Sequence, residues 1–120
     1  MASDAGDLDF CYLTTLGRVT GAPHQIEIWF ALHDGFIYLL SGGGERSDWV
    51  KNLIVEPSVT LRIGEETRET TARVVSAPDE DALARRLLLE KYRSRYAGEL
   101  EDWGRTALPI AAGWARAGVV

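Results

Sequence analysis

A chain of 120 residues has room for one domain around one core, and its ordinary apolar and charged fractions exclude disordered and fibrous classes. A net charge of −5 argues against a nucleic-acid binder whose affinity comes from phosphate neutralisation. The single cysteine, Cys11, excludes an internal disulfide and is expected to be a small buried hydrophobe.

In chain order, Met1–Asp9 carry three Asp and no basic residue. They read as a flexible leader rather than a secretory signal, so the expected setting is cytoplasmic, with residues 10–120 as the single domain. Phe10–Leu16 reads as a strand that ends at Gly17-Arg18-Val19-Thr20-Gly21. The glycines let the backbone turn tightly and expose N–H groups, Arg18 adds a fixed fork of donors, and Thr20 adds a hydroxyl. Those are the parts of an anion cradle. They stand out because residues 1–66 hold four Lys or Arg against ten Asp or Glu.

Gln25–His33 alternates strictly, with Ile26, Ile28, Phe30 and Leu32 on one face and Trp29 on the other. Asp34-Gly35 signals a two-residue hairpin, and Phe36–Ser41 is the returning strand. Ser41-Gly42-Gly43-Gly44 breaks that strand before a short helix over Ser47–Val55, with Ser47 as N-cap and Pro57 beyond its end. The hairpin is expected to return this second glycine loop toward Gly21–Pro23. Arg18, Arg46 and Lys51 would then converge on one acidic ligand at a helix N-terminus. Val59–Ile63 and Arg68–Val75 form a further strand pair. Ser76-Ala77-Pro78-Asp79 opens a helix that runs to about Arg95, and Leu108–Ala117 reads as a last strand. Five or six strands with two helices suggest a small antiparallel barrel with the helices packed outside it.

Catalytic constellations are sparse. His24 and His33 have no companions at metal-ligand spacing, so no metal is expected. No nucleophile elbow exists, and Ser41 has no evident base. His24 is a candidate donor beside the glycine loop, whereas His33 is a solvated turn residue. Trp29 is either covered by the long helix or stacked on a ligand. Trp49 reads as core packing through Leu53, and Tyr92 and Tyr96 form either an amphipathic edge or a pocket wall. Together the aromatics and the two loops suggest a planar ligand with an anionic tail.

At these residues the chain resembles a known family. Leu13–Pro23, Ile28-Trp29-Phe30, Asp34-Gly35, Ser41-Gly42-Gly43, Trp49, Asn52-Leu53, Pro57, Val59-Thr60 and Leu108-Pro109-Ile110 are similar to the deazaflavin-dependent nitroreductases, within the pyridoxamine phosphate oxidase-like group. The resemblance covers most of residues 12–112. It implies a mainly β, α+β fold: a split antiparallel β-barrel of about six strands with two or three helices outside. It also implies an enzyme that transfers hydride from reduced deazaflavin coenzyme F-420 to a small conjugated acceptor, such as a quinone, a nitro compound or an activated alkene.

By residue matching, Arg18, Thr20, Gly21 and Pro23 would meet the coenzyme's phosphate and tail, with His24, Arg46 and Lys51 as further donors. Trp29, Ser41, Gly42, Gly43 and the helix start from Asp48 to Asn52, Trp49 included, would line its groove. Tyr92 and Tyr96 would shape the acceptor pocket, a tyrosine hydroxyl being the candidate proton donor, with no single catalytic residue assigned. Two positions depart from the family's habit. Val19 stands where a basic residue is common and Gly42 where lysine is common, and each loss removes a charge-assisted contact of roughly 1.5–3 kcal/mol. FMN, with a shorter tail, is therefore the alternative coenzyme. A non-catalytic protein that holds a flavin-like or lipid ligand is the alternative outside enzymes. Split barrels often pair, so a homodimer is a further expectation.

Overall fold

In the computed structural model, residues 5–114 are described. Among them, seven antiparallel strands run in the order β2-β1-β5-β6-β7-β4-β3. They are β1 (Cys11–Leu16), β2 (Pro23–Ile28), β3 (Ala31–His33), β4 (Phe36–Ser41), β5 (Ser58–Ile63), β6 (Glu66–Val74) and β7 (Leu108–Gly113). Three α-helices accompany them: α1 (Asp48–Val55), α2 (Pro78–Tyr92) and α3 (Glu101–Thr106).

The curl of the sheet comes from β6. Its first part pairs with β5, from Ile63 opposite Glu66 to Ser58 opposite Thr71, and its end pairs with β7, where Ala72 faces Ala112. One long strand thus belongs to two half-sheets, and the curled surface encloses Leu13, Phe30, Ile37, Leu39, Leu61 and Ile110. A second core lies outside β3, β4 and β7. There Ala31, Tyr38, Leu40 and Ala111 meet Ala84, Leu88 and Tyr92 of α2. Those three α2 residues recur every four positions, so they form the buried stripe, with Leu83 and Leu87 on its partly buried flanks.

The strand expected over residues 25–33 is two strands. β2 pairs with β1, Ile28 facing Cys11, whereas β3 pairs with β4, Ala31 facing Tyr38. Trp29 and Phe30 carry the chain between the two ends of the sheet order, and the alternation runs on through the break. The break is tolerated because α2 serves the exposed backbone groups of Phe30. The Tyr92 hydroxyl accepts the Phe30 N–H at 3.0 Å, and Lys91 Nζ donates to the Phe30 carbonyl at 2.8 Å. The hairpin at Asp34-Gly35 forms as expected, with φ of 51° and 80° at the two turn residues, the pattern of a type I′ turn.

Three further expectations change. Residues 1–4 of the expected leader lie outside the described residues, and residues 5–9 are tied down rather than free. Arg95 donates to the Asp7 carbonyl and to the Asp9 carboxylate, both at 2.8 Å, and the Tyr92 hydroxyl donates to the Asp9 carbonyl at 2.7 Å. Helix α2 begins at Pro78 with Ala77 at the N-cap and no side-chain cap, so Ser76 does not serve it. The last strand ends at Gly113, and residues 115–117 of its expected span lie outside the described residues. Helix α3 was not expected: Glu101–Thr106 has too few apolar positions to show a periodicity.

Candidate functional site

The Gly17–Ala22 loop closes on itself before it meets anything else. Gly17 N–H donates to the Ala22 carbonyl at 2.7 Å, Gly21 N–H to the Gly17 carbonyl at 2.8 Å, and Thr20 Oγ1 accepts the Ala22 N–H at 3.2 Å. Gly21 sits at φ 78°, where a side chain is strained, and an added Cβ on Gly17 would lie 3.0 Å from His24 Nε2. The two glycines therefore allow the turn and bring the His24 imidazole against it. Among the described residues, the backbone N–H groups of Val19 and Thr20 take no protein partner.

Arg18 is aimed by α1. Its Nη1 donates to Asn52 Oδ1 at 2.8 Å, its backbone N–H reaches the same oxygen at 3.2 Å, and its Nη2 lies 3.3 Å from Asp48 Oδ1. Asn52, only 4% exposed, also donates from Nδ2 to Thr15 Oγ1 at 3.2 Å. One buried amide thus joins β1, the loop and α1. Replacing it by leucine is expected to lower stability by about 1–3 kcal/mol, because buried polar groups lose their partner. Urea unfolding of Asn52→Leu checks this, and an unchanged midpoint would refute the bridging role.

Between the loop, β2 and α1 lies a groove of about 720 Å³. Arg18, Thr20, Pro23, His24, Trp49 and Asn52 all line it, as does Asp48. Ser47, at the N-cap of α1, makes no cap bond because its hydroxyl pairs with Ser41 Oγ at 2.9 Å. Its first-turn N–H groups are left without a side-chain acceptor, a setting that favours anions.

The expected convergence forms in part: the helix start that follows the second glycine loop reaches Arg18 through Asp48 and Asn52, while Arg46 and Lys51 stay out of the groove. Ser41 is 2% exposed and donates to the Gly44 carbonyl at 2.9 Å, so its hydroxyl serves the loop itself. Gly42 faces the Trp103 indole, and Gly42, Gly43, Arg46 and Lys51 do not line the groove. Lys51 is exposed on α1. Arg18 and His24 are thus the basic side chains of the groove, and Asp48 offsets one of them.

Trp29 lies on the other side of β2. Its ring stacks on Tyr92 at 4.2 Å and 5°, and it meets the rings of Tyr96 and Trp103 edge-on at 5.4 and 5.5 Å. Of the two readings of Trp29, cover by the long helix is observed, and an open recess of about 540 Å³ adjoins the ring. Tyr92 is 1% exposed and burial pushes its hydroxyl up to about 12. That hydroxyl donates to the Asp9 carbonyl and accepts the Phe30 N–H, so Tyr92 ties residue 9 to the break between β2 and β3. Tyr96, 48% exposed, lines the recess, together with Phe10, Glu27 and Trp103, which sequence reasoning did not single out. No local pattern marked Trp103, because its helix is short.

Residues 4–112 match the model of the F420H(2)-dependent quinone reductase family. The chain belongs to this family. It is accordingly an oxidoreductase that uses the deazaflavin coenzyme F-420. No curated protein matches the sequence. Among solved structures, a conserved hypothetical protein from Mycobacterium tuberculosis is similar with a TM-score of 0.72 at 21% identity, covering 97% of this chain and 82% of that one. An F420-H2 dependent reductase (FDR-A) is similar with a TM-score of 0.70 at 16% identity, covering 88% of this chain and 93% of that one. The heme storage protein HutZ from Vibrio cholerae has a TM-score of 0.67 at 15% identity, covering 90% and 82%. At these identities the likeness is one of fold, the split β-barrel. Among the described residues, no helix is long and apolar enough to cross a membrane.

Proposed function

We propose that this reductase holds the anionic tail of coenzyme F-420 in the Arg18 groove and reduces a small conjugated acceptor, a quinone, nitro compound or activated alkene, on the Trp29 side of β2. The observation that carries this reading is the aimed Arg18: a buried amide fixes its guanidinium at the mouth of a groove that also contains His24 and two free backbone N–H groups. That donor set fits a phosphate. Arg18, Thr20, His24 and Asn52 hold the tail, and Trp49 and Pro23 supply apolar wall. When bound, the reduced deazaflavin supplies the hydride. Trp29 and Tyr96 orient the acceptor and keep water from one face. The groove and the recess border successive stretches of chain, Pro23–Ile26 within β2 and residues 27–29 at its end, which supports one continuous reaction site.

Arg18→Ala is expected to weaken F-420 binding by ten- to a hundredfold, equivalent to about 1.5–3 kcal/mol. Stability should change little, because Asn52 keeps the Arg18 backbone N–H as a partner. Asp48→Asn should move affinity in the opposite direction, since it removes the carboxylate that competes for the same guanidinium. Fluorescence titration of the coenzyme against the three proteins checks both. Tight FMN binding with none of the deazaflavin would overturn the coenzyme assignment. The groove's shortage of cations is what favours that second reading. Coenzyme binding without turnover on quinone and nitro acceptors would support the non-catalytic reading.

The same reading takes the chain as a single coenzyme-binding domain in the cytoplasm, where one buried cysteine suits a reducing compartment. It also takes the protein as a homodimer. One structural neighbour is described as a domain-swapped dimer, and sedimentation of the purified protein decides the matter here.

A further inference from the structure

We infer that the recess beside Trp29 is a site for planar aromatic cations, and that its acidic rim selects them over anions of the same shape. The inference rests on reading the recess as the acceptor side of the reaction. Its volume of about 540 Å³ suits a ligand of one or two fused rings. Trp29 presents the floor and is held rigid by its stack on Tyr92. Tyr96 and Trp103 stand at 74° and 87° to it, forming walls. Phe10 and Tyr96 remain 41% and 48% exposed around the opening, so large aromatic surface is left uncovered at one place rather than scattered.

Charge decides which planar molecule this box prefers. Among the described residues, Glu27 and Glu99 are the charged side chains that line it, and no Lys, Arg or His does. Glu27 is fixed in place, because its Oε2 accepts the Tyr12 hydroxyl at 2.6 Å. Glu99 is turned to accept the Glu101 N–H. No cation of the described residues lines the recess: Arg62 lies over the Tyr12 ring at 4.1 Å, Arg95 pairs with the Asp9 carboxylate and bonds the Asp7 carbonyl, and Lys91 is bonded to the Phe30 carbonyl. Negative aromatic faces and two carboxylates act with the same sign on a cation, and both act against an anion.

The test uses the full chain without coenzyme, titrated with N-methylquinolinium, quinoline and quinoline-2-carboxylate and followed by tryptophan fluorescence. The cation should bind at least about tenfold more tightly than the carboxylate. In the Glu27→Gln, Glu99→Gln double variant the two should fall within threefold of each other, with quinoline unchanged. Tyr96→Ala, at an exposed position, should weaken the cation by at least about threefold. Equal binding of cation and carboxylate by the parent would overturn the inference. So would discrimination that survives in the double variant, since the net charge of −5 would then be its source. Because no coenzyme is present, failure of the F-420 titration leaves this result standing, and the two readings fail separately.

Discussion

Tyr92→Ala is expected to lower stability by about 3–5 kcal/mol, the cost of removing a large aromatic from a core. Tyr92 is among the largest fully buried side chains and does three things at once. Its ring supports Trp29, its body packs α2 on the outer face of the sheet, and its hydroxyl joins residue 9 to residue 30. Tyr92→Phe separates these roles. It keeps the ring but leaves the Phe30 N–H in the core without its acceptor, so a loss of about 1–3 kcal/mol is expected. Urea unfolding of both variants is the measurement. If Tyr92→Phe matches the parent while Tyr92→Ala does not, the hydroxyl is not what closes the break between β2 and β3.

Alkaline titration should destabilise the protein steeply, and in a defined sequence. Burial pushes the Cys11 thiol from its ordinary 9.0 up to about 12. Burial also raises Tyr92 to about 12, and burial with the hydrogen bond to Glu80 does the same to Tyr38. In each case the folded chain keeps a proton that the unfolded chain has lost, so stability is complete below the unfolded value and falls as pH rises above it. Lys91 works in the opposite direction. Burial lowers it from 10.5 to about 8, so between those values the unfolded chain binds the extra proton and stability rises with pH. Each titrating group contributes a slope of about 1.4 kcal/mol per pH unit.

From pH 9 to 10, therefore, Lys91 and Cys11 nearly cancel, and above 10.5 Cys11, Tyr38 and Tyr92 act together. Cys11→Ala should convert the flat stretch between 9 and 10 into a rise, and it should shift alkaline unfolding upward. Denaturant midpoints measured at half-unit intervals of pH decide this. A Cys11→Ala profile parallel to that of the parent would show that the thiol does not hold its proton.

Individual residues show where sequence reading succeeded. The hairpin at Asp34-Gly35 was legible because a type I′ turn demands positive φ at both positions, a property of two residues and their own backbones. The Gly17–Gly21 loop was legible from its two glycines, of which Gly21 takes φ 78°, and Arg18, Thr20, Pro23, His24, Trp49 and Asn52 meet around one groove. Arg46 and Lys51 do not line that groove, and Gln25–His33 does not continue as one strand. Its alternation gave no sign of the break at Trp29–Phe30, since a period of two survives when a chain changes its pairing partner. Ser47 takes the N-cap position as read, but its hydroxyl makes no cap bond because its partner, Ser41, six residues away, comes near through the folded loop.

By itself, then, the sequence determined what depends on neighbours along the chain: the turns, most strand and helix spans, the net charge and the motif order that identifies the family. Only the tertiary structure decided what depends on distant groups competing for the same partner. Asn52 turns Arg18 from a surface cation into an aimed one, and Asp48 pairs with the same guanidinium. Tyr92, named from sequence as a candidate for chemistry, is buried and bonded to the backbone of residues 9 and 30, while Trp103 and Glu27 join the recess from segments with no common pattern. The physical reason is the same each time. A side chain's role is set by which donor, acceptor or ring reaches it first, and that choice is made across the folded sheet, dozens of residues away along the chain.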